Sequence, residues 1–436
     1  MRLRYGRQFC ALLVLSSMTG LVLSAAAASP KEESPPRPER TINRLDLKIL
    51  QEIASTDAVL ADLKHEFEQQ KQAEPLEEEE CRRLAAEAST SATLLEMELS
   101  IVLSQKLPSA NRALQAACAR RRLETALISN AAVNARRRTV AQALEAFVAL
   151  ATAQARLETL WNTVAELDAA VAESARLDRL GIPSEMKPDK LRADREHVLA
   201  QGVALYEEVD KRNAQLAYLL GRDDSPGSFR PRLSWHIHPI TIDVEATVAL
   251  GLQNNEELRV LDELARRLDA ATLETIESFL PGLQPLLSIA SAGGRGKLGL
   301  LLSFLCPPKP DGSRIEARRA QLRFYRDRRR QELASEIRDA AATLVTSQQR
   351  LSFERERWKL LRDECDDATQ KHGEGVLPLL AVTNAKIELR RQEDAVISAI
   401  AQWHGARVKL GDVTGTLWPP GQEMVLVTEP EDALKQ

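Results

Sequence analysis

Aromatic residues make up only 4% of the 436-residue chain, against 28% charged residues. So few rings exclude a conventional aromatic-rich enzyme core and point to long helices packed through Ala, Leu and Val. Glycine is absent from Ser29 to Leu180, and proline is also absent from Ser109 to Leu180. A second stretch without either runs from Ser313 to His372. As unbroken helices these stretches reach about 108 Å and about 90 Å at ~1.5 Å per residue, where ordinary globular helices average about 11–12 residues. They predict a coiled coil or a helical tube. Basic residues are in no excess: the formal net charge is −4, which leaves no footprint for nucleic acid. After the amino-terminal segment, no apolar run is long enough to form a spanning helix.

That segment has the build of a secretory signal peptide. Arg2, Arg4 and Arg7 precede an apolar run from Phe9 to Leu23, followed by small residues at Ala25 to Ala28. Residues 1–28 are therefore expected to be removed on export, and losing three arginines would take the formal charge from −4 to −7. Cys10 lies inside the apolar run rather than after it, which argues against a lipoprotein. Cys81, Cys118, Cys306 and Cys365 remain, without CxxC or paired metal-ligand spacing. They read as small residues at helix seams, although export would permit oxidation.

The rest divides at its prolines and glycines. Residues 29–40, "SPKEESPPRPER", form a polar linker. A first helical-hairpin repeat is expected over 41–221, a linker over 222–242, a second repeat over 243–418 and a flexible tail over 419–436. Leu157, Leu160, Val164, Leu167 and Val171 step by 3 and 4, as do Trp358, Leu361, Cys365, Ala368 and His372. Both runs are heptad seams, expected to join copies of the chain. Each long helix breaks at a glycine, Gly181 or Gly373, and each return helix is expected to end at a leucine–glycine pair, Leu220–Gly221 or Leu410–Gly411. Two helix–tip–helix units in one chain imply duplication. Between them, Leu287, Ile289 and Ser291 alternate with small residues before Gly293–Gly294–Arg295–Gly296 and "KLGLLLSFL". This predicts a short β-hairpin at about 284–305, with one face suited to lipid.

Several stretches in this order resemble the TolC-like outer-membrane efflux ducts over roughly 130–418. They are "RLG" at 179–181, "DKLRA" at 189–193, "LAYLLG" at 216–221, "ALGLQNNEEL" at 249–258, "FLPGL" at 279–283, "HGEG" at 372–375 and "VTNAKIEL" at 382–389. The resemblance implies a mainly α fold of long antiparallel helical hairpins forming a coiled-coil tunnel, with a membrane barrel of four strands per protomer. It implies a homotrimer, a periplasmic adaptor protein, an inner-membrane transporter and outer-membrane lipid as partners. The hairpin tips, Arg179, Leu180 and Gly181 with Lys371, His372, Gly373, Glu374 and Gly375, would be where adaptors dock.

Two departures are visible. The first half should supply two strands near 65–130, yet that region lacks glycine and "LLEMELSIVL" at 94–103 reads as helix. One hairpin from each of three protomers gives six strands, below the eight of the smallest bacterial barrels. The family's acidic entrance is also missing, with Leu379 and Val382 at the matching positions. Chemistry is sparse. His236 and His238 have no carboxylate or cysteine cluster beside them, "EEEE" at 77–80 reads as a solvated run, and "GGRG" lacks the Lys-Ser/Thr of a phosphate loop. The sequence therefore points to a non-enzyme without cofactor or metal: a passive export duct, or a periplasmic coiled-coil scaffold derived from one.

Overall fold

A computed structural model describes residues 65, 68, 72–106, 111–182, 187–222, 229–237, 239–270, 272, 273, 276 and 312–417. The expected signal peptide, the 29–40 linker, the 284–305 hairpin, Cys306, His238 and the tail beyond residue 418 lie outside them. The element order is β1 (Glu74–Leu76), α1 (Glu78–Glu87), α2 (Thr90–Ser104), α3 (Asn111–Arg179), α4 (Pro188–Leu219), β2 (Phe229–Pro231), α5 (Val244–Asn254), α6 (Glu256–Arg266), α7 (Gly312–Gly373) and α8 (Leu379–Thr414). Helix α3 runs for 69 residues and α7 for 62, as the missing glycines and prolines predict. Among the described residues the strands are β1 and β2, paired in parallel with Glu74 opposite Phe229. The segment at 94–103 is helical, inside α2.

The chain forms two compact units. Unit 1 takes in the described residues of Met97–Ala131 and Arg259–Arg326, and unit 2 those of Leu63–Glu96, Ala132–Leu258 and Asp327–Gln436. The core of unit 1 gathers Leu123, Leu261, Leu264, Leu268, Ile276 and Leu322.

In unit 2, α3 and α4 run antiparallel. Leu157 packs with Tyr206 and Leu167 with Leu191, so positions ascending on one helix meet positions descending on the other. Gly202 of α4 marks their close approach, since a Cβ there would lie 3.2 Å from Leu160 Cδ2. Helices α7 and α8 repeat the arrangement: Gln392 Nε2 donates to the Glu354 carbonyl at 3.0 Å, and Arg350 Nη1 to Gln402 Oε1 at 3.1 Å. The two hairpins meet through α3 and α8. Leu380 joins Leu167 and Ala170 in one cluster, Arg156 pairs with Asp394 at 2.6 Å, and Lys386 pairs with Glu166 at 3.2 Å.

This packing corrects the expected use of the first seam. Leu157, Leu160, Val164 and Leu167 are buried within one protomer, with Leu157, Leu160 and Leu167 against α4 and Leu167 also against α8, and are not free to join copies. The second seam is less enclosed: Cys365 and Ala368 are buried, whereas Trp358 and Leu361 are only half-buried. Cys81 and Cys365 are buried free thiols and Cys118 is a half-buried one. Burial pushes the Cys81 thiol up to about 12, consistent with an inert packing residue.

Residues 249–258 form the junction of α5 and α6. Gly251 lets α5 lie against α7 and α8, because a Cβ there would be 2.4 Å from Ile337 Cδ1 and 3.2 Å from Thr414 Cα. Asn255 starts the next helix, its Oδ1 accepting from the Leu258 N–H at 3.0 Å. Glu256 forms a buried ion pair with Arg137 of α3. The Arg137 guanidinium also donates to the Asn254 carbonyl and lies over Gly415 at the end of α8. One arginine thus ties α3, the α5–α6 junction and the end of α8 together.

The segment before α5 is strapped across α7 and α8 by side chains. Arg355 donates to the carbonyls of Trp235 and Ile237, and Gln348 exchanges two hydrogen bonds with the Ile240 backbone. His404 of α8 donates from Nε2 to the Ser234 carbonyl at 2.9 Å, which leaves its buried Nδ1 without a partner. Protonating Nδ1 would place a charge in a desolvated site that also holds Arg407, and burial holds the imidazole below its usual value. The folded state therefore keeps His404 neutral, and its contribution is lost as pH falls below the unfolded value of about 6.5.

Two outcomes follow. Taking the chain from pH 7 to pH 5 is expected to lower the thermal midpoint less in His404→Gln than in wild type, as followed by circular dichroism. Leu167→Ala is expected to cost about 2–5 kcal/mol by leaving a cavity and to lower the same midpoint, because it opens the seam shared by α3, α4 and α8.

Candidate functional site: the two hairpin tips

Four helices end in one motif. At α3 the N–H of Gly181 bonds to the Asp178 carbonyl and that of Ile182 to Leu177; at α4, Gly221 bonds to Tyr218 and Arg222 to Ala217. At α7, Gly375 bonds to His372 and Val376 to Lys371; at α8, Gly415 bonds to Asp412 and Thr416 to Gly411. Each is the paired 5→2 and 6→1 closure that needs a left-handed residue. Gly181, Gly221, Gly375 and Gly415 supply it, with φ of 69°, 65°, 76° and 72°.

Two glycine assignments are corrected by this geometry. Gly373 is the last residue of α7, and the reversal occurs two residues later at Gly375. Gly411 lies inside α8, where a Cβ would be 2.7 Å from Leu417 Cδ2, and the cap is Gly415. With the left-handed glycines as markers, Gly181 to Gly221 and Gly375 to Gly415 are each 40 residues apart, so the two hairpins return after equal lengths.

At the first tip, Arg179 ends α3 and its Nε donates to the Ala175 carbonyl at 3.2 Å. Leu180 is 60% exposed, and Gly181 has open space around its Cβ position. At the second, Lys371 pairs with Asp367 at 2.6 Å, and the Glu374 carboxylate accepts from Gln370 Nε2 at 2.9 Å. His372 Nδ1 donates to the Leu377 carbonyl at 2.8 Å, fastening the turn to the start of the return helix. Gly373 and Gly375 have open space as well. The Arg176 hydrogen bond holds the Glu173 carboxyl below the usual carboxylate range, with a smaller contribution from His372 of the other hairpin.

Three tip residues escape the sequence reading. Ile182 and Val376 occupy the position after the left-handed glycine and are 49% and 67% exposed. An apolar residue there is part of the motif's own signature, so locating Gly375 correctly would have identified Val376. Glu173 carries no local signal, because only the packing of two hairpins brings it near His372. Behind the tips, a groove of about 870 Å³ runs along α3, α4 and α8. Its lining mixes signs, with Arg156, Lys190 and Arg391 beside Asp194, Glu388 and Asp394. Among the described residues no group of three His, Cys, Asp or Glu side chains could hold a metal ion, and His236 is exposed.

No protein-family model matches the sequence, and a search of curated proteins returns no match. Solved structures do match. The outer membrane protein VceC from Vibrio cholerae superposes with a TM-score of 0.51 at 15% identity, covering 81% of this chain and 96% of that one. The CmeC outer membrane channel of Campylobacter jejuni gives 0.52 at 12% identity, covering 80% and 87%. The open-state MtrE outer membrane channel of Neisseria gonorrhoeae gives 0.52 at 11% identity, covering 78% and 88%. The chain has the fold of the TolC-type outer-membrane channels. The likeness spans most of the length of each of these TolC-type structures, so it takes in both hairpins.

The corrected tip is testable by two neighbouring substitutions. Gly375→Ala forces a Cβ into a left-handed position and should cost about 1 kcal/mol. Gly373→Ala sits in helix with open space beyond it and should be neutral or stabilising by up to about 1 kcal/mol. Amide hydrogen exchange at 371–378 would show faster exchange in the first variant only.

Proposed function

We propose that this chain is an outer-membrane efflux or secretion duct, a passive conduit in a tripartite export system. The observation that carries the reading is the pair of equal hairpins, each closed by a left-handed glycine, within the fold of known outer-membrane channels. The amino-terminal signal would direct export, and the 41–221 and 243–418 repeats would each contribute one hairpin to a tunnel reaching into the periplasm. The residues at 284–305 would contact outer-membrane lipid. Three copies would close the tube, and its work would be done by shape, without catalysis or cofactor.

In this reading the tips dock a periplasmic adaptor protein that links the duct to an inner-membrane transporter. Leu180, Ile182 and Val376 present exposed apolar surface beside Arg179, Lys371 and Glu374, which suits a helical partner with both apolar and charged contacts. The glycines at 181, 373 and 375 leave room for close approach. One observation favours the scaffold alternative: α2 is helical where a first-half strand pair would lie.

Fractionation separates the two. The duct reading expects the protein with outer-membrane markers, as a detergent-resistant oligomer, whereas a freely soluble periplasmic monomer would favour the scaffold. Docking has its own test. Leu180→Asp with Val376→Asp is expected to leave the oligomer intact while abolishing recovery of the cognate adaptor in pull-down, and undiminished recovery would rule the tips out.

A further inference from the structure

Unit 1 concentrates positive charge in a chain whose net charge is −4. In its part of α3, Arg120, Arg121 and Arg122 share residues 111–131 with one carboxylate, Glu124. In its part of α7, Arg318, Arg319 and Arg323 share residues 312–326 with one carboxylate, Glu316. Both clusters adjoin the same core, because Leu123 and Leu322 pack into one cluster. Arg122 and Arg323 are exposed, while Arg319 is partly engaged with the Leu268 carbonyl at 2.9 Å.

Apolar side chains are exposed in the same unit. Phe324, next to Arg323, is 61% exposed, and on α2 Met97, Ile101 and Leu103 are 57%, 53% and 49% exposed. Met97 and Ile101 share a face, and Leu103 lies on the opposite side. Helix α2 carries no Lys or Arg, and among its described side chains only Ala92 and Val102 are buried.

The combination selects among occupants. A polyanion such as nucleic acid would match the arginines and leave Phe324, Met97 and Ile101 in water. A second copy seated on the arginine-bearing surface would set the clusters against each other. An anionic bilayer satisfies both requirements: its phosphates accept bidentate hydrogen bonds from guanidinium groups, and its acyl boundary takes the apolar side chains.

We propose that unit 1 is a lipid-contacting surface, binding phosphate headgroups of an anionic leaflet through the arginines of α3 and α7, with Phe324, Met97 and Ile101 entering the acyl boundary. This rests on the outer-membrane reading above and adds the lipid chemistry to it.

The test is flotation of the full chain with phosphatidylcholine vesicles, with and without phosphatidylglycerol. Binding should prefer the anionic vesicles and weaken with salt. Arg121→Gln/Arg122→Gln/Arg323→Gln should weaken it on the order of a hundredfold with unchanged helicity. Equal binding to both vesicle types, an unaffected triple variant, or tighter capture by duplex DNA would overturn the proposal. So would spontaneous disulfide-linked dimers of Met97→Cys. Should the triple variant misfold, the wild-type salt titration decides, and anionic binding unchanged from low to high salt overturns it. Outer-membrane fractionation without anionic preference would sink this proposal alone. Anionic preference in a soluble periplasmic monomer would sink the duct reading alone.

Discussion

The structure of unit 2 depends on α3 being buried on two sides at once. Leu157, Leu160 and Leu167 face α4, and Leu167 and Ala170 also meet Leu380 of α8. With the α3–α8 ion pairs at Arg156–Asp394 and Glu166–Lys386, this makes the two hairpins one packed layer of four helices. These half-buried pairs contribute little by themselves. They fix register along a seam whose stability comes from the leucines.

A second constraint acts at the helix ends. A long helix can reverse over a few residues only if its last carbonyls find donors, and the four Schellman closures provide them. Because each closure needs a left-handed residue, the glycine positions set hairpin length. Equal spacing from Gly181 to Gly221 and from Gly375 to Gly415 therefore brings the two hairpins back after the same number of residues. Arg137 closes the opposite end, reading the Asn254 carbonyl, Glu256 and the cap at Gly415.

Much of the fold was legible because helix length follows from missing glycine and proline. Helices α3 and α7 and their breaks could be read directly, as could the helical character of 94–103. Which glycine turns the chain was less legible. "HGEG" offers two candidates two residues apart, and the choice depends on which carbonyls are left to satisfy. The heptad seam was found, but its partner was mistaken: spacing identifies a buried stripe without saying whether it faces a neighbouring helix of the same chain or another copy. The bond from Gln348 to Ile240 and the approach of Glu173 to His372 join residues far apart in sequence and left no periodic trace.

The central claim is that these hairpins wall a conduit. Electron microscopy of the detergent-purified full-length oligomer tests it most directly. The account predicts a hollow helical cylinder with closed symmetry, its wall made of paired helices ending in hairpin tips at one end. A solid bundle, or an open monomer with both hairpins free, would contradict it.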